Sequence, residues 1–436
     1  MQDIAALYDH FRACASVSTD SRQAQTDTLF FALNGPTFRG ADFAPQALER
    51  GARHAVVVDA ALAAQHPDRY TYSPDPLRTL QDLARHHRRQ LTIPVLGITG
   101  SNGKTTTKEL VYAVLSRRLR VQYTRGNLNN HIGVPLTLLS IRPDEHELAI
   151  VEMGANHRGE IELLSNIAEP THGLITNIGK AHLEGFGGQE GIAQGKSELF
   201  RFLTATNGTA FVNTLDARLI ELGAMVPNRV TYPGPTDTYP ITLVSPIPNV
   251  TLRLPDGTQV EARITGDYNF PNLAAAAAVG QFFGVPTPDI AAALASYSPT
   301  NNRSQLIQTG RNEVLLDAYN ANPSSMSAAL RSFAARPSTD KTAKVVVLGD
   351  MFELGEESAA EHTALGNLLA ELSFNETVLI GPEMAHAHNT CAGSHNHYFA
   401  TKAEAATWLQ SQALQNRQIL IKGSRGMGLE TLLEFV

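Results

Sequence analysis

The chain has 436 residues, 43% of them apolar and 18% charged, with a net charge of −7 at neutral pH. That length exceeds what a single core serves, so two to four domains are expected, and the composition excludes a disordered chain. The acidic balance argues against a general nucleic-acid binder, and two distant cysteines, Cys14 and Cys391, argue against a disulfide framework or a cysteine-based zinc site.

Met1-Gln2-Asp3-Ile4 carries neither the basic region nor the apolar core of a signal peptide, and no apolar run approaches the ~20 residues of a membrane helix. A cytoplasmic protein with no nucleic-acid or membrane partner is expected. Roughly the first 80 residues mix short strands and helices, among them an apolar strand at His54–Val58. The Pro-containing stretch Tyr72–Pro76 then gives way to a basic helix at Leu80–Gln90, which marks the first domain boundary.

From Pro94 onward apolar strands alternate with helical patterns. Strands are expected at Val95–Thr99, Leu148–Glu152, Gly173–Thr176 and Thr209–Val212, the rhythm of a mostly parallel sheet covered by helices. Between the first of these and a helix at Lys108–Arg118 lies Thr99-Gly100-Ser101-Asn102-Gly103-Lys104-Thr105-Thr106. A strand turning through glycines into a helix start aims backbone N–H groups and the positive helix end at one spot, which suits a polyphosphate. Lys104 adds a mobile charge and Thr105 a hydroxyl for Mg²⁺. The full G-x-x-x-x-G-K-[ST] pattern is not met, because its first position falls on Ile98; a glycine turn with an incidental lysine is the alternative.

Glu152 ends an apolar strand, where a carboxylate suits a hard cation but is also a common solvated residue or helix cap. His182, in the polar loop Asn177–Glu184, reads alone as a hydrogen-bonded structural histidine, and Lys196 alone as a solvated lysine on a helix face. Short Pro- and Gly-punctuated strands between Tyr239 and Ile264 suggest an antiparallel excursion. A second α/β series follows, with strands at Val314–Asp317, Lys344–Leu348, Glu376–Ile380 and Gln418–Ile421. Its helices are expected at Ser324–Ala335, Ser358–Leu372 and Lys402–Gln412. His386, His388, His395 and His397 read as a polar loop in preference to a zinc site, since no Cys pattern accompanies them.

Taken together, Thr99–Thr106, Glu152-Met153-Gly154-Ala155-Asn156, Asn177–Glu184, Lys196, Gly266–Asn272, Arg303, Asp317–Pro323, Leu348–Gly355 and Lys422-Gly423-Ser424-Arg425 resemble the Mur ligases of bacterial cell-wall synthesis. The later groups, with Thr19–Arg22 and Leu29–Gly35, look most like the member that joins D-alanyl-D-alanine to UDP-N-acetylmuramoyl-tripeptide. The resemblance implies an α/β protein of three domains: a small UDP-binding α/β domain over 1–82, a central P-loop ATPase-like domain with a mostly parallel sheet over 83–304, and a Rossmann-like α/β domain over 305–436 that binds the incoming dipeptide. It also implies an ATP-dependent amide ligase working through an acyl phosphate in peptidoglycan precursor synthesis, and a monomer.

By this similarity Gly100, Ser101, Asn102, Gly103, Lys104, Thr105 and Thr106 cradle the phosphates, and Thr105 with Glu152 binds one Mg²⁺. His182 and Lys196 correspond to the group at a second Mg²⁺, with Lys196 carbamylated by CO₂ so that a cation becomes an oxygen ligand. Asn269 and Asn272 fall where the family meets adenine, Arg303 where it reaches the phosphates, and Asp317 at the ribose. Tyr268 departs from the family, where histidine is common. Ser21 and Arg22 are candidates for the UDP end, Asn127, Asn129 and Asn130 for sugar, diphosphate or lactoyl oxygens, and Asn320, Asn322, Ser424 and Arg425 for the dipeptide. Three rivals are the preceding Mur ligase, whose Asp-Asn-Pro-Arg-like sequence is missing here, folylpolyglutamate synthase, and a nucleotide-regulated binding protein needing neither His182 nor Lys196.

Overall fold

A computed structural model describes residues 4–338, 343–391 and 393–436, so Met1–Asp3, read above for a leader, lie outside the described residues. Four sheets are formed by the described residues. The first holds β1 (Ser16–Ser18), β2 (Thr28–Phe31), β3 (Ala52–Val57) and β4 (Tyr70–Tyr72), all parallel and in sequential order. Every residue of β2 is buried, as a strand covered on both faces requires.

The helix Pro76–Gln90 begins four residues before the expected start, because the Asp75 carboxylate accepts from Arg78 N at 2.9 Å and Pro76 takes the first helical position. Its buried face, Leu80, Leu83, Ala84 and His87, joins the amino-terminal core to the central one. Arg88 is buried and donates to the carbonyls of Leu91, Ala168 and Glu169. The boundary expected at 82/83 thus falls inside one continuous helix that serves both domains.

The central sheet contains β5 (Val95–Thr99), β6 (Val121–Tyr123), β7 (Leu148–Glu152), β8 (His172–Ile175), β9 (Thr209–Asn213) and β10 (Asn228–Tyr232). They are parallel in the order β10-β9-β8-β5-β7-β6. The chain runs outward on both sides of β5, so the crevice for a ligand opens beyond the carboxyl end of that strand. The expected antiparallel excursion is present as β11 (Thr242–Ser245), β12 (Thr251–Arg253) and β13 (Gln259–Glu261).

The last sheet has β14 (Gln305–Gln308), β15 (Glu313–Asp317), β16 (Ala343–Gly349), β17 (Glu376–Ile380), β18 (Asn396–Phe399) and β19 (Arg417–Lys422), ordered β14-β15-β19-β16-β17-β18. Among the described residues the β14–β15 pair alone in it is antiparallel. The polar-loop reading of the late histidines needs correction. His386 and His388 lie on the helix Met384–Cys391, which buries Met384, Ala387 and Cys391, and His397 sits in β18 bonded to Glu376 at 2.8 Å. Among the described residues no helix is long and apolar enough to cross a membrane.

Candidate active site

Beyond β5 the backbone adopts conformations that only glycine takes easily. Gly100 has φ +139°, and a Cβ there would stand 2.0 Å from Thr176 Oγ1; Gly103 has φ +80°, and its Cβ would stand 2.6 Å from Asn272 Oδ1. The helix then starts at Lys104, four residues earlier than expected, directly on the turn. Ser101 N donates to Asn177 O at 3.0 Å and Asn102 N to Asn177 Oδ1 at 3.1 Å, so the end of β8 braces the loop. Those two donors are occupied, whereas the N–H groups of the first helical turn, Lys104 to Thr106, have no partner within the helix and are available to an anion.

Lys104 folds back on the loop, its Nζ donating to Gly100 O at 2.7 Å and Ser101 O at 3.2 Å. Its amine is pushed down to about 8, chiefly by loss of water in the concave site; Glu152 opposes the shift and the Arg303 charge adds to it. Thr105 Oγ1 donates to Glu152 Oε1 at 3.1 Å, and Asn129 Nδ2 reaches the same oxygen at 2.8 Å. Glu152 is 1% exposed, which removes the solvated-residue reading. Its Oε2 has no hydrogen-bond donor and lies 3.5 Å from the buried Lys108 ammonium. A buried carboxylate oxygen without a donor, beside a threonine hydroxyl, is a donor set that fits a hard divalent cation.

Lys104, Thr105, Asn129 and Glu152 line a cavity of about 850 Å³ between the central and carboxyl-terminal sheets. It brings together Ser101 to Thr106, Asn127, Asn129, Asn130, Glu152, His182, Asn269, Asn272, Arg303, Asp317, Asn320 and Asn322. Asn269 and Asn272 arrive already bonded: Asn272 Nδ2 donates to Asn269 Oδ1 at 3.0 Å, and Thr107 Oγ1 donates to Asn272 Oδ1 at 3.1 Å. Tyr268 turns its hydroxyl to Ser304 Oγ at 3.1 Å and so braces the linker beside Arg303.

Other sequence candidates sit apart. Lys196 closes the helix Gln189–Lys196, is 1% exposed, donates to Ala155 O at 3.0 Å and lies 4.8 Å from the Phe186 ring centre. It is no solvated lysine, and no hydrogen bond or ion pair joins it to His182. Ser424 is buried and its hydroxyl accepts from Phe352 N at 2.9 Å, whereas Arg425 lines an adjoining cavity of about 260 Å³. In the first domain Ser21 Oγ donates to Gln46 Oε1 at 3.2 Å, and the exposed Arg22 grips Asp20 with two bonds of 2.9 Å. Neither lines the cavity.

The sequence reading missed the contacts that hold the carboxyl-terminal domain against the loop. Asn322 caps the helix Pro323–Ala335, and its Nδ2 donates to Asn102 Oδ1 at 2.7 Å. Lys180 N donates to Ser324 Oγ at 2.9 Å and its ammonium pairs with Glu361. His182, in the left-handed region at φ 56°, meets the carboxylate of Glu353. Lys422, 2% exposed, pairs with Asp317 at 2.6 Å, and Ser304 N donates to the other oxygen of that carboxylate at 3.0 Å. Glu353 and Lys422 both stood inside quoted motifs, so the wording marked them without giving their partners.

Family comparisons agree with this geometry from end to end. Residues 14–122 match the Mur ligase family catalytic domain, 98–280 the Mur ligase middle domain, and 302–425 the Mur ligase glutamate ligase domain. The chain belongs to the Mur ligase family. This Mur ligase is 34% identical to the UDP-N-acetylmuramoyl-tripeptide--D-alanyl-D-alanine ligase of Bacillus subtilis strain 168, over 96% of this chain and 92% of the relative. A crystal structure of MurF from Acinetobacter baumannii superposes with a TM-score of 0.86 at 33% identity, covering 99% of this chain and 97% of that one. MurF ligase from Thermotoga maritima, crystallised in complex with ADP, gives 0.83 at 26% identity, over 100% and 98%.

Proposed function

We propose that this Mur ligase joins D-alanyl-D-alanine to the terminal carboxylate of UDP-N-acetylmuramoyl-tripeptide at the expense of ATP, releasing ADP, in peptidoglycan precursor synthesis in the cytoplasm, and that it acts as a monomer. The observation that carries the chemistry is the convergence of the helix start at Lys104, the Glu152 carboxylate and Arg303 on one cavity. Transfer of the γ-phosphate to a carboxylate must bring two anions together, and such a site needs cations on several sides. Lys104, Arg303 and Lys422 line the cavity.

The first helical turn and Lys104 hold the phosphates, while Asn269, Asn272 and Asp317 orient the nucleoside. Thr105 and Glu152 are the residues that would hold one Mg²⁺, and His182 with a carbamylated Lys196 a second. When bound, the cations neutralise charge on the triphosphate and the incoming carboxylate. Bonding of a carboxylate oxygen to the γ-phosphorus, with ADP leaving, gives the carboxyl carbon phosphate as its leaving group. Attack by the dipeptide amine forms the amide and expels phosphate, with the amine's proton passing to solvent or a neighbouring base. Asn127, Asn129 and Asn130 hold the acceptor's sugar-phosphate or lactoyl oxygens, Ser21 and Arg22 its UDP end, and Asn320, Asn322, Ser424 and Arg425 surround or support the dipeptide site.

The deciding assay incubates the enzyme with ATP, Mg²⁺, D-alanyl-D-alanine and a UDP-linked tripeptide ending in lysine or in meso-diaminopimelate, then weighs the product. A pentapeptide mass with matching ADP release supports the reading; ADP release indifferent to the dipeptide overturns it. The amine of Lys104 adds a prediction on pH. At pH 9, above its value of about 8, it is mostly neutral in the free enzyme, and an arriving phosphate raises it again. Binding of a non-hydrolysable ATP analogue at pH 9 therefore takes up close to one proton, and affinity falls as pH rises from 8 to 9. Below pH 8 Lys104 is already charged and its uptake fades. Calorimetry in two buffers of different ionisation heat reads the proton count, and Lys104→Met abolishes it. Equal affinity at pH 7 and 9 with no uptake contradicts the assignment.

A further inference from the structure

Two guanidinium groups share a single aromatic ring beside the phosphate loop. The Arg303 guanidinium carbon lies 3.6 Å from the centre of the Tyr319 ring, and that of Arg425 lies 4.8 Å from it. Neither guanidinium has a carboxylate partner or a hydrogen-bond acceptor among the described residues, and Arg303 Nε is buried without one. Both arginines and Tyr319 line the smaller cavity, and Arg303 and Tyr319 also line the larger one. Two like charges on one small surface, with no ion pair to a carboxylate among the described residues although Glu430 lines the same cavity, lean on the π-system of Tyr319 until substrate arrives.

The ring itself is fixed from behind. Tyr319 N donates to Asn302 O at 3.1 Å, and Ser304 N donates to Asp317 Oδ1 at 3.0 Å, so the end of β15 is zipped to the linker on both sides of Arg303. Asn301, Asn302 and Ser304 all take left-handed φ values of 61°, 57° and 46°, which gives the linker one defined bend at this point. Tyr319 is half-buried, and its hydroxyl makes no hydrogen bond among the described residues. Its aromatic face is therefore the part in use.

We infer that Tyr319 is a positioning residue of this ligase, a platform that aims Arg303 at the transferring phosphate and Arg425 at the carboxylate of the incoming dipeptide. The inference rests on the roles proposed above for those two arginines. It joins the phosphate-facing and amine-facing halves of the reaction through one side chain. The contact of the partly buried Arg303 is strong enough for loss of the ring to cost about tenfold, whereas that of the exposed Arg425 supports about two- to fivefold.

Steady-state kinetics of Tyr319→Phe and Tyr319→Leu, each crossed with Arg303→Ala and with Arg425→Ala, test this. Tyr319→Phe is expected to stay within about twofold of the parent, because the ring survives. Tyr319→Leu is expected to lower kcat about tenfold and to raise the dipeptide KM about two- to fivefold. In the Arg303→Ala background the kcat penalty shrinks below about twofold, and in the Arg425→Ala background the KM penalty does. Tyr319→Gln serves as a second ring-free variant at this half-buried position should the leucine fold poorly. A merely structural ring would give one uniform loss in every background. Penalties that multiply independently, or a phenylalanine as damaging as leucine, overturn the inference. Parent-like kinetics of Arg303→Ala and Arg425→Ala would instead strike the roles of the arginines, and the platform with them.

Discussion

Stripping CO₂ from the assay is expected to lower ligase activity severalfold and bicarbonate to restore it, while Lys196→Ala lowers turnover by about a hundredfold or more, the scale of losing one charge-stabilising group in a dry site. The reasoning begins with burial. Lys196 is 1% exposed, between the Ala155 carbonyl and the Phe186 ring. Burial pushes its amine well below the usual lysine range, and the charge of Lys104 pushes the same way, against Glu160 and Glu198. A neutral amine has the lone pair that CO₂ requires; an ammonium has none. Addition forms an N–C bond, releases one proton and leaves an anionic carbamate, which turns a group that repels cations into an oxygen ligand. The carbamate is labile, so activity with and without bicarbonate is a safer readout than intact mass. Bicarbonate independence together with a fully active Lys196→Ala variant removes the role.

The same residue shows what the sequence carries and what it omits. Lys196 was marked by its place in an ordered set of motifs, yet alone it looked like a surface lysine, because burial is a property of the packed chain. The phosphate loop was legible locally: an apolar strand, glycines, a lysine and a helix arrive in order, and each constrains the next. Strands β5, β7 and β17 and the helices Ser358–Leu372 and Lys402–Gln412 were legible to the residue: the strands are short apolar runs, and the second helix starts on the Thr401–Glu404 capping box. Helix starts were read late at Pro76 and Lys104, where the cap lies in a turn outside the periodic run. The helix Met384–Cys391 was hidden by its short length and by His386, His388, Asn389 and Thr390, which make half of it polar. Least legible were partners distant along the chain, such as His182 with Glu353, Asp317 with Lys422, and Tyr319 with two arginines. No local pattern pairs residues that lie on different strands or domains.

Arg303→Ala is expected to lower turnover by roughly a hundred- to thousandfold while moving the KM for ATP little, as removal of a partner engaged mainly in the transition state does. Arg303 sits on the linker into the carboxyl-terminal domain, stacked on Tyr319, with Nε buried and unpaired. Holding a guanidinium in that condition costs stability, and the cost is tolerable if an anion completes the site during the reaction. Lysine is no equivalent, because it cannot stack a planar cation on the ring, so Arg303→Lys should recover only part of the loss. A second readout separates electrostatics from shape. The charge of Arg303 contributes to lowering the Lys104 amine, so in Arg303→Ala the proton uptake on nucleotide binding should begin at a higher pH than in the parent. Lost turnover with an unmoved onset would mean that Arg303 acts through geometry alone, and unchanged turnover would remove it from the reaction altogether.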